Sequence, residues 1–154
     1  EQYLFGNEPL FTARASYYFK AGKEKNWHSP ADIPDGTQLA VINGYEYGAE
    51  FEKHRHRLKL IEVSKQQQMI AMLLNERVEG AIFFDRVFDY TMANSHYDRS
   101  LIRRGEENHT SNIYIAFSRQ NANAQNYAKM LDEGLRMLKS SGEYQRIMNG
   151  LYDR

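Results

Sequence analysis

The chain has 154 residues, 42% of them hydrophobic, which is the length of one compact core or of one lobe plus part of another. Twenty basic and twenty acidic residues cancel without any block of like charge, which excludes the field of a nucleic-acid binder. The sequence holds no apolar run near the ~20 residues that span a bilayer, and zero cysteines exclude disulfide frameworks, thiol catalysis and thiolate metal sites.

The opening Glu1-Gln2-Tyr3-Leu4 is neither an initiator methionine nor a basic leader, so the N-terminus reads as cut or omitted. Thr12 to Lys20, with Tyr17, Tyr18 and Phe19 ahead of Ala21-Gly22, predicts a strand. Ser29-Pro30-Ala31-Asp32 places a capping residue before a proline suited to a first helical position, so a single helical turn should precede the Pro34-Asp35-Gly36 turn. Gln38 to Asn43 then predicts a buried strand ended by Gly44, and Tyr47 to His56 a helix.

This strand-turn-helix unit recurs. Leu58 to Val63 alternates as a strand does, Ser64 stands as a helix cap, and Met69, Ile70, Leu73 and Leu74 lie at helical spacing within Lys65 to Glu76. Gly80 to Phe84 is a short continuous apolar run, followed by Asp85 as the cap of a helix through Val87, Phe88 and Met92. Such alternation predicts an α/β fold with a parallel, doubly wound sheet, its core holding Ala40, Val41, Ile42, Leu60, Ile70, Leu73, Ala81, Ile82 and Phe83. Asn94 to Asn108 reads as polar and irregular, and Ile113 to Phe117 as a strand. Asn123 to Lys139 predicts an amphipathic helix with Ala128, Leu131, Leu135 and Leu138 on one face; Gly142 stops it, and a short helix through Ile147 and Leu151 closes the chain.

Ligand chemistry concentrates where strands give way to helices. In open parallel sheets ligands bind outside the carboxyl ends of the strands, where free backbone N–H groups favour a polar or anionic group. Gly44, Tyr45, Glu46 and Tyr47 occupy one such turn; the alternative is that Gly44 only makes the turn and the tyrosines cover surface. Asp85 occupies the matching place after the third such strand, Gly80 to Phe84, where its carboxylate would accept from a ligand ammonium group or serve as an ordinary N-cap. His54-Arg55-His56 reads as a solvated helix end, because imidazoles two positions apart diverge on a helix. Asn108-His109-Thr110 fits the glycosylation-acceptor pattern. A Walker loop, a dinucleotide fingerprint, a nucleophile elbow and a metal-ligand spacing are all absent from the sequence, so no catalytic residue, metal or cofactor is expected.

Trp27 to Gly44 resembles the "DL-x-G-x-x-(I/V)-(G/A)-V-x-x-G" segment of family 3 solute-binding proteins. Leu73 to Ala81 is similar to that family's "L-x-x-G-R-(I/V)-D-A", with Glu76 and Glu79 where glycine and aspartate are common, and Leu138 to Met148 to its "L-K-x-x-G-x-(Y/W)-x-x-I" ending. After the turn glycine, Tyr45-Glu46 stands where the family usually has threonine or serine.

The resemblance implies a periplasmic-binding-protein-like type II fold with one complete parallel-sheet lobe, residues 15–115, and a partial second lobe, residues 1–14 and 116–154, that lacks its N-terminal part. It implies a non-enzymatic, extracytoplasmic protein of the periplasm that captures a small polar ligand, an amino acid or related amine, through Gly44, Tyr45, Glu46, Tyr47 and Asp85, and presents it to the permease of an ABC transporter. The same fold also serves as sensor domains of membrane kinases or cyclases, and in a few relatives as dehydratases. The apolar face of Asn123 to Lys139 implies self-association or exchange of elements between chains.

Overall fold

A computed structural model describes residues 2–150, so the expectation at Leu151 lies outside the described residues. The chain divides into two compact units, residues 13–111 and residues 1–12 with 112–154.

The larger unit is built on a five-stranded sheet of order β4-β3-β5-β2-β6: β2 (Phe11–Lys20), β3 (Gln38–Ile42), β4 (Lys59–Val63), β5 (Gly80–Phe84) and β6 (Ile102–Ile113). Strands β4, β3 and β5 are parallel, as the recurring units predict, with Leu39 opposite both Leu60 and Gly80. The sheet is nevertheless mixed. Strand β2 runs antiparallel to β5, pairing Ala15 with Phe84. Backbone bonds from Leu10 N to Ile113 O (2.7 Å) and from Ala21 N to Leu101 O (2.8 Å) run β6 antiparallel to β2. The parallel sheet expected from the recurring units is thus its β4-β3-β5 part; only strands separated by crossover helices need be parallel, and β2 and β6, which are not products of such units, join it antiparallel.

Helices α1 (Ala49–His54), α2 (Gln66–Leu74) and α3 (Asp85–Ala93) cover the sheet. Because side chains alternate across a strand, each central strand feeds two cores. Tyr18, Ala40, Ile42, Ala81 and Phe83 pack with Ile70, Leu73 and Phe88 on the α2/α3 side. Tyr17, Phe19, Leu39, Val41 and Ile82 pack with Trp27, Ile33, Tyr47 and Phe51 on the α1 side. All the predicted core residues are buried except Leu60, which is partly so. The Ser29 turn forms as a single 3-10 turn over Pro30–Asp32, with the Asp32 carboxylate accepting from the N–H groups of His28 and Ser29.

Three local expectations are corrected. The segment expected to be irregular up to Asn108 contains most of β6; its charges suit an edge strand, which needs a partner only on one side, and Gly105 lets the Phe19 ring lie where a Cβ would be 2.7 Å from it. The strand expected over Ile113 to Phe117 is broken, β6 ending at Ile113 and β7 (Ala116–Ser118) starting beyond Tyr114 and Ile115. Asp85 is the first residue of α3 and not its cap, a position that Phe84 takes, and its carboxylate is engaged elsewhere.

In the smaller unit β1 (Tyr3–Phe5) pairs antiparallel with β7, Tyr3 opposite Ser118; the sequence reading did not foresee β1. Helix α4 (Ala124–Ser141) ends at Gly142, left-handed at φ 80, and α5 (Glu143–Gly150) follows. Ala128 and Leu135 of the predicted face are buried, Leu131 is half-buried and Leu138 exposed. Buried between them is Asp132, whose carboxylate accepts from the backbone N–H groups of Asn7 (2.9 Å) and Glu8 (3.0 Å). A Cβ on Gly6 would sit 2.5 Å from Asp132 Oδ1. Tyr127, Met130 and Met137 of α4 are exposed. Among the described residues no helix is long and apolar enough to cross a membrane.

Candidate functional site

The turn after β3 is made by Gly44, left-handed at φ 78, and held by bonds from Asn43 N to Val63 O (2.9 Å) and Tyr45 N to Ile42 O (3.3 Å). The chain then doubles back, so that Tyr47 is 1% exposed. Its hydroxyl oxygen accepts from Ile42 N at 2.9 Å, its carbonyl accepts from Asn108 Nδ2 at 2.8 Å, and its ring packs against Phe51 and Phe84. Burial pushes its phenol up to about 12. Tyr47 is thus a support beneath the turn.

Above this support lies a hollow of about 650 Å³ lined by Asn43, Gly44, Tyr45, Glu46, Gly48, Ala49, Glu52, Arg55 and Glu62, within the size range of small-molecule sites. It opens where β3 and β4 end and α1 begins. Its walls carry three carboxylates and one guanidinium. Arg55 donates to Glu52 (3.2 Å) and also to Glu62, whereas Glu46 pairs with no cation among the described residues. The exposed Tyr45 ring stands 5.9 Å from that of Phe84, edge to face. Electrostatically the hollow favours a cation or amine, and its aromatic wall offers an apolar surface to the rest of a ligand.

Of the five residues expected from sequence, Gly44, Tyr45 and Glu46 meet in this hollow; Tyr47 underlies it and Asp85 does not line it. Asp85 stands at the carboxyl end of β5, 6% exposed. Its Oδ2 accepts from Arg14 Nε (2.6 Å) and Arg104 Nη1 (3.2 Å), and its Oδ1 from the Tyr18 hydroxyl (3.0 Å). The hydrogen bond to Asp85, then its charge, raises the pKa of Arg14. Burial, then the Asp85 charge, raises that of Tyr18.

The sequence reading missed Glu52, Arg55 and Glu62. Their signal was weak: Glu52 and Arg55 sit three apart on a short helix, and Glu62 is a polar position of an edge strand. It missed Arg14 and Arg104 as well, which only strand pairing brings to Asp85. Asn108, which opens the glycosylation-acceptor pattern, has its amide engaged inside the unit, donating to the Tyr47 carbonyl and accepting from the Tyr17 hydroxyl at 2.9 Å. His54 sits beside Glu50, Nε2 to Oε1 3.3 Å, and among the described residues no three His, Cys, Asp or Glu side chains cluster to hold a metal ion.

No protein-family profile and no curated protein matches the chain. Solved structures do. An amino acid ABC transporter substrate-binding protein, AbpA of Streptococcus pneumoniae bound to L-arginine, superposes with a TM-score of 0.75 at 15% identity, over 99% of this chain and 62% of that one. A mutant of ArgBP from T. maritima gives 0.75 at 16% identity, over 99% and 63%. The ancestral amino-acid-binding protein AncCDT-1, described as a precursor of cyclohexadienyl dehydratase, gives 0.73 at 12% identity, over 98% and 61%. The fold is therefore that of the type II periplasmic binding proteins, one mixed-sheet lobe with part of a second, and the chain spans less than two thirds of the length of these structures.

Proposed function

We propose that this chain is the larger part of an extracytoplasmic solute-binding protein, a relative of the family 3 proteins, that captures a small polar amino acid or related amine for the permease of an ABC transporter. The observation that carries the reading is the acidic hollow at the carboxyl ends of β3 and β4. It has the volume of a small-molecule site, three carboxylates against one guanidinium, and a glycine turn over a buried tyrosine.

Within it, Gly44 leaves the backbone accessible, Tyr45 supplies a ring, and Glu46, paired with no cation among the described residues, receives the ligand's cation. Tyr47 holds the turn in place. The reading assigns this chain binding rather than turnover, the role that the solved neighbour described as a substrate-binding protein supports. Self-association through the exposed side of α4 belongs to the same reading.

Calorimetry of the full-length protein with L-arginine, L-glutamine and polyamines tests it. A ligand should bind wild type and lose affinity at least about tenfold in Glu46→Ala, the loss of one charge-assisted hydrogen bond. Unchanged affinity in Glu46→Ala would remove the hollow from the function, and consumption of the ligand during the titration would replace binding by catalysis.

A further inference from the structure

At the carboxyl end of β5 a single buried carboxylate faces two guanidinium groups. The register that sets Ala15 opposite Phe84 brings Arg14 beside Asp85, and the next strand, β6, brings Arg104 to the same oxygen at 3.2 Å. Tyr18 closes the other side of Asp85 with its hydroxyl at 3.0 Å, so the carboxylate has a donor on each oxygen before any ligand arrives.

The exposures are unequal. The Asp85 side chain is 8% exposed, those of Arg14 and Arg104 are 49% and 44%. A guanidinium has five N–H donors in a rigid fork, and each arginine gives Asp85 only one. The remaining donors stand at the surface on bases that Asp85 keeps from swinging, and two cations on one anion leave the trio positive. Glu107 also acts on Arg14 through its charge, while its own carboxylate accepts from Thr110 Oγ1 at 2.6 Å.

We infer that Arg14 and Arg104 form a subsite for the carboxylate of the ligand, with Asp85 as the positioning residue that aims them. Paired, pre-oriented forks match the planar geometry of a carboxylate and lose little freedom when it binds. The inference rests on the solute-binding reading and deepens it. It reverses the charge expected at Asp85 from the sequence: the ligand meets this strand end with its anionic group, and meets the acidic hollow with its cationic one. A zwitterion is the class of ligand that answers both.

The test pairs L-arginine with agmatine, which keeps the guanidinium and lacks the carboxylate, and titrates both into the full-length protein by calorimetry. Arg14→Lys and Arg104→Lys keep a cation beside Asp85, so the fold is retained while the fork is lost. Each should weaken L-arginine at least about tenfold, the loss of one charge-assisted hydrogen bond, and leave agmatine unchanged. In parallel, acetate titrated into the 15N-labelled protein should shift the Nε–H resonances of Arg14 and Arg104 to saturation. If L-arginine binds wild type and both lysine variants alike, the subsite is overturned and the solute-binding reading stands. If the acetate shifts saturate while no amino acid binds, the subsite stands and the amino-acid reading falls. Resonances that acetate does not move to saturation overturn the subsite in either case.

Discussion

Gly48 is the position where a single methyl group should do most harm to the candidate site. Its backbone lies at φ 92, ψ 153, a region that residues with a side chain enter only at about 1–3 kcal/mol. A Cβ there would also lie 2.4 Å from His109 Nδ1 and 2.6 Å from its Cγ. That is too close for the ring to stay in place beside Ser111 Oγ, and such overpacking adds about 1–3 kcal/mol. Gly48→Ala should therefore cost about 2–6 kcal/mol, or roughly 4–24 °C in Tm at about 2–4 °C per kcal/mol. Gly44→Ala is the control: it too is left-handed, at φ 78, but meets nothing within 4 Å, so it should cost only about 1–2 kcal/mol. Thermal unfolding followed by circular dichroism measures both. Adding His109→Ala to Gly48→Ala should recover the steric part and leave the backbone part. If Gly48→Ala is no more harmful than Gly44→Ala, the close approach of His109 is not a real constraint and the reasoning fails.

Tyr18→Phe removes a buried donor from the Asp85 carboxylate and should cost about 1.5–3 kcal/mol, whereas Tyr17→Phe, which loses a neutral bond to Asn108, should cost about 0.5–1.5 kcal/mol; urea unfolding ranks them, and the reverse order would refute the greater weight given to the Asp85 bond. Backbone bonds from Asn7 and Glu8 hold the Asp132 carboxyl below the usual carboxylate range. A depressed acid stabilises the fold above its unfolded pKa and loses that contribution as pH falls through the folded value. Stability should thus fall on acidification below the ordinary aspartate range, and Asp132→Asn should flatten that limb of the Tm–pH profile. The exposed Tyr127, Met130 and Met137 of α4 should make the 154-residue polypeptide self-associate; light scattering after gel filtration should report a larger species, and Met130→Lys with Met137→Lys should return it to monomer.

The buried strands and their helices were legible because burial on both faces leaves a continuous apolar run, as in Gln38–Ile42 and Gly80–Phe84. Direction was not legible: nothing within Tyr17-Tyr18-Phe19 tells a strand that returns against its neighbour from one that follows a crossover. Gly44, Tyr45 and Glu46, which line the hollow, could be named together because they are neighbours in one turn. Arg14 and Arg104 lie 71 and 19 positions from Asp85, and a pair made by sheet register leaves no local trace. Glu76 shows the opposite case. It stands where the resemblance calls for glycine, and its φ is 55, the conformation glycine favours. Lys20 at 2.6 Å and Lys23 at 3.6 Å hold its carboxylate, so the backbone shape persists although the residue that usually permits it is gone.

Strand β6 has a consequence for the protein's life in a crowded solution. It forms one margin of the sheet, and a long margin of unpaired backbone groups is a template on which another molecule can add a strand. Charges that sum to zero over these 154 residues supply no overall repulsion to keep copies of the chain apart. The protection must then be local, and β6 supplies it with Arg103, Arg104, Glu106 and Glu107, all exposed, in signs that a second copy of the same strand would have to bury or leave unmatched. The charges that make this segment read as a loop are the ones that let the sheet end there.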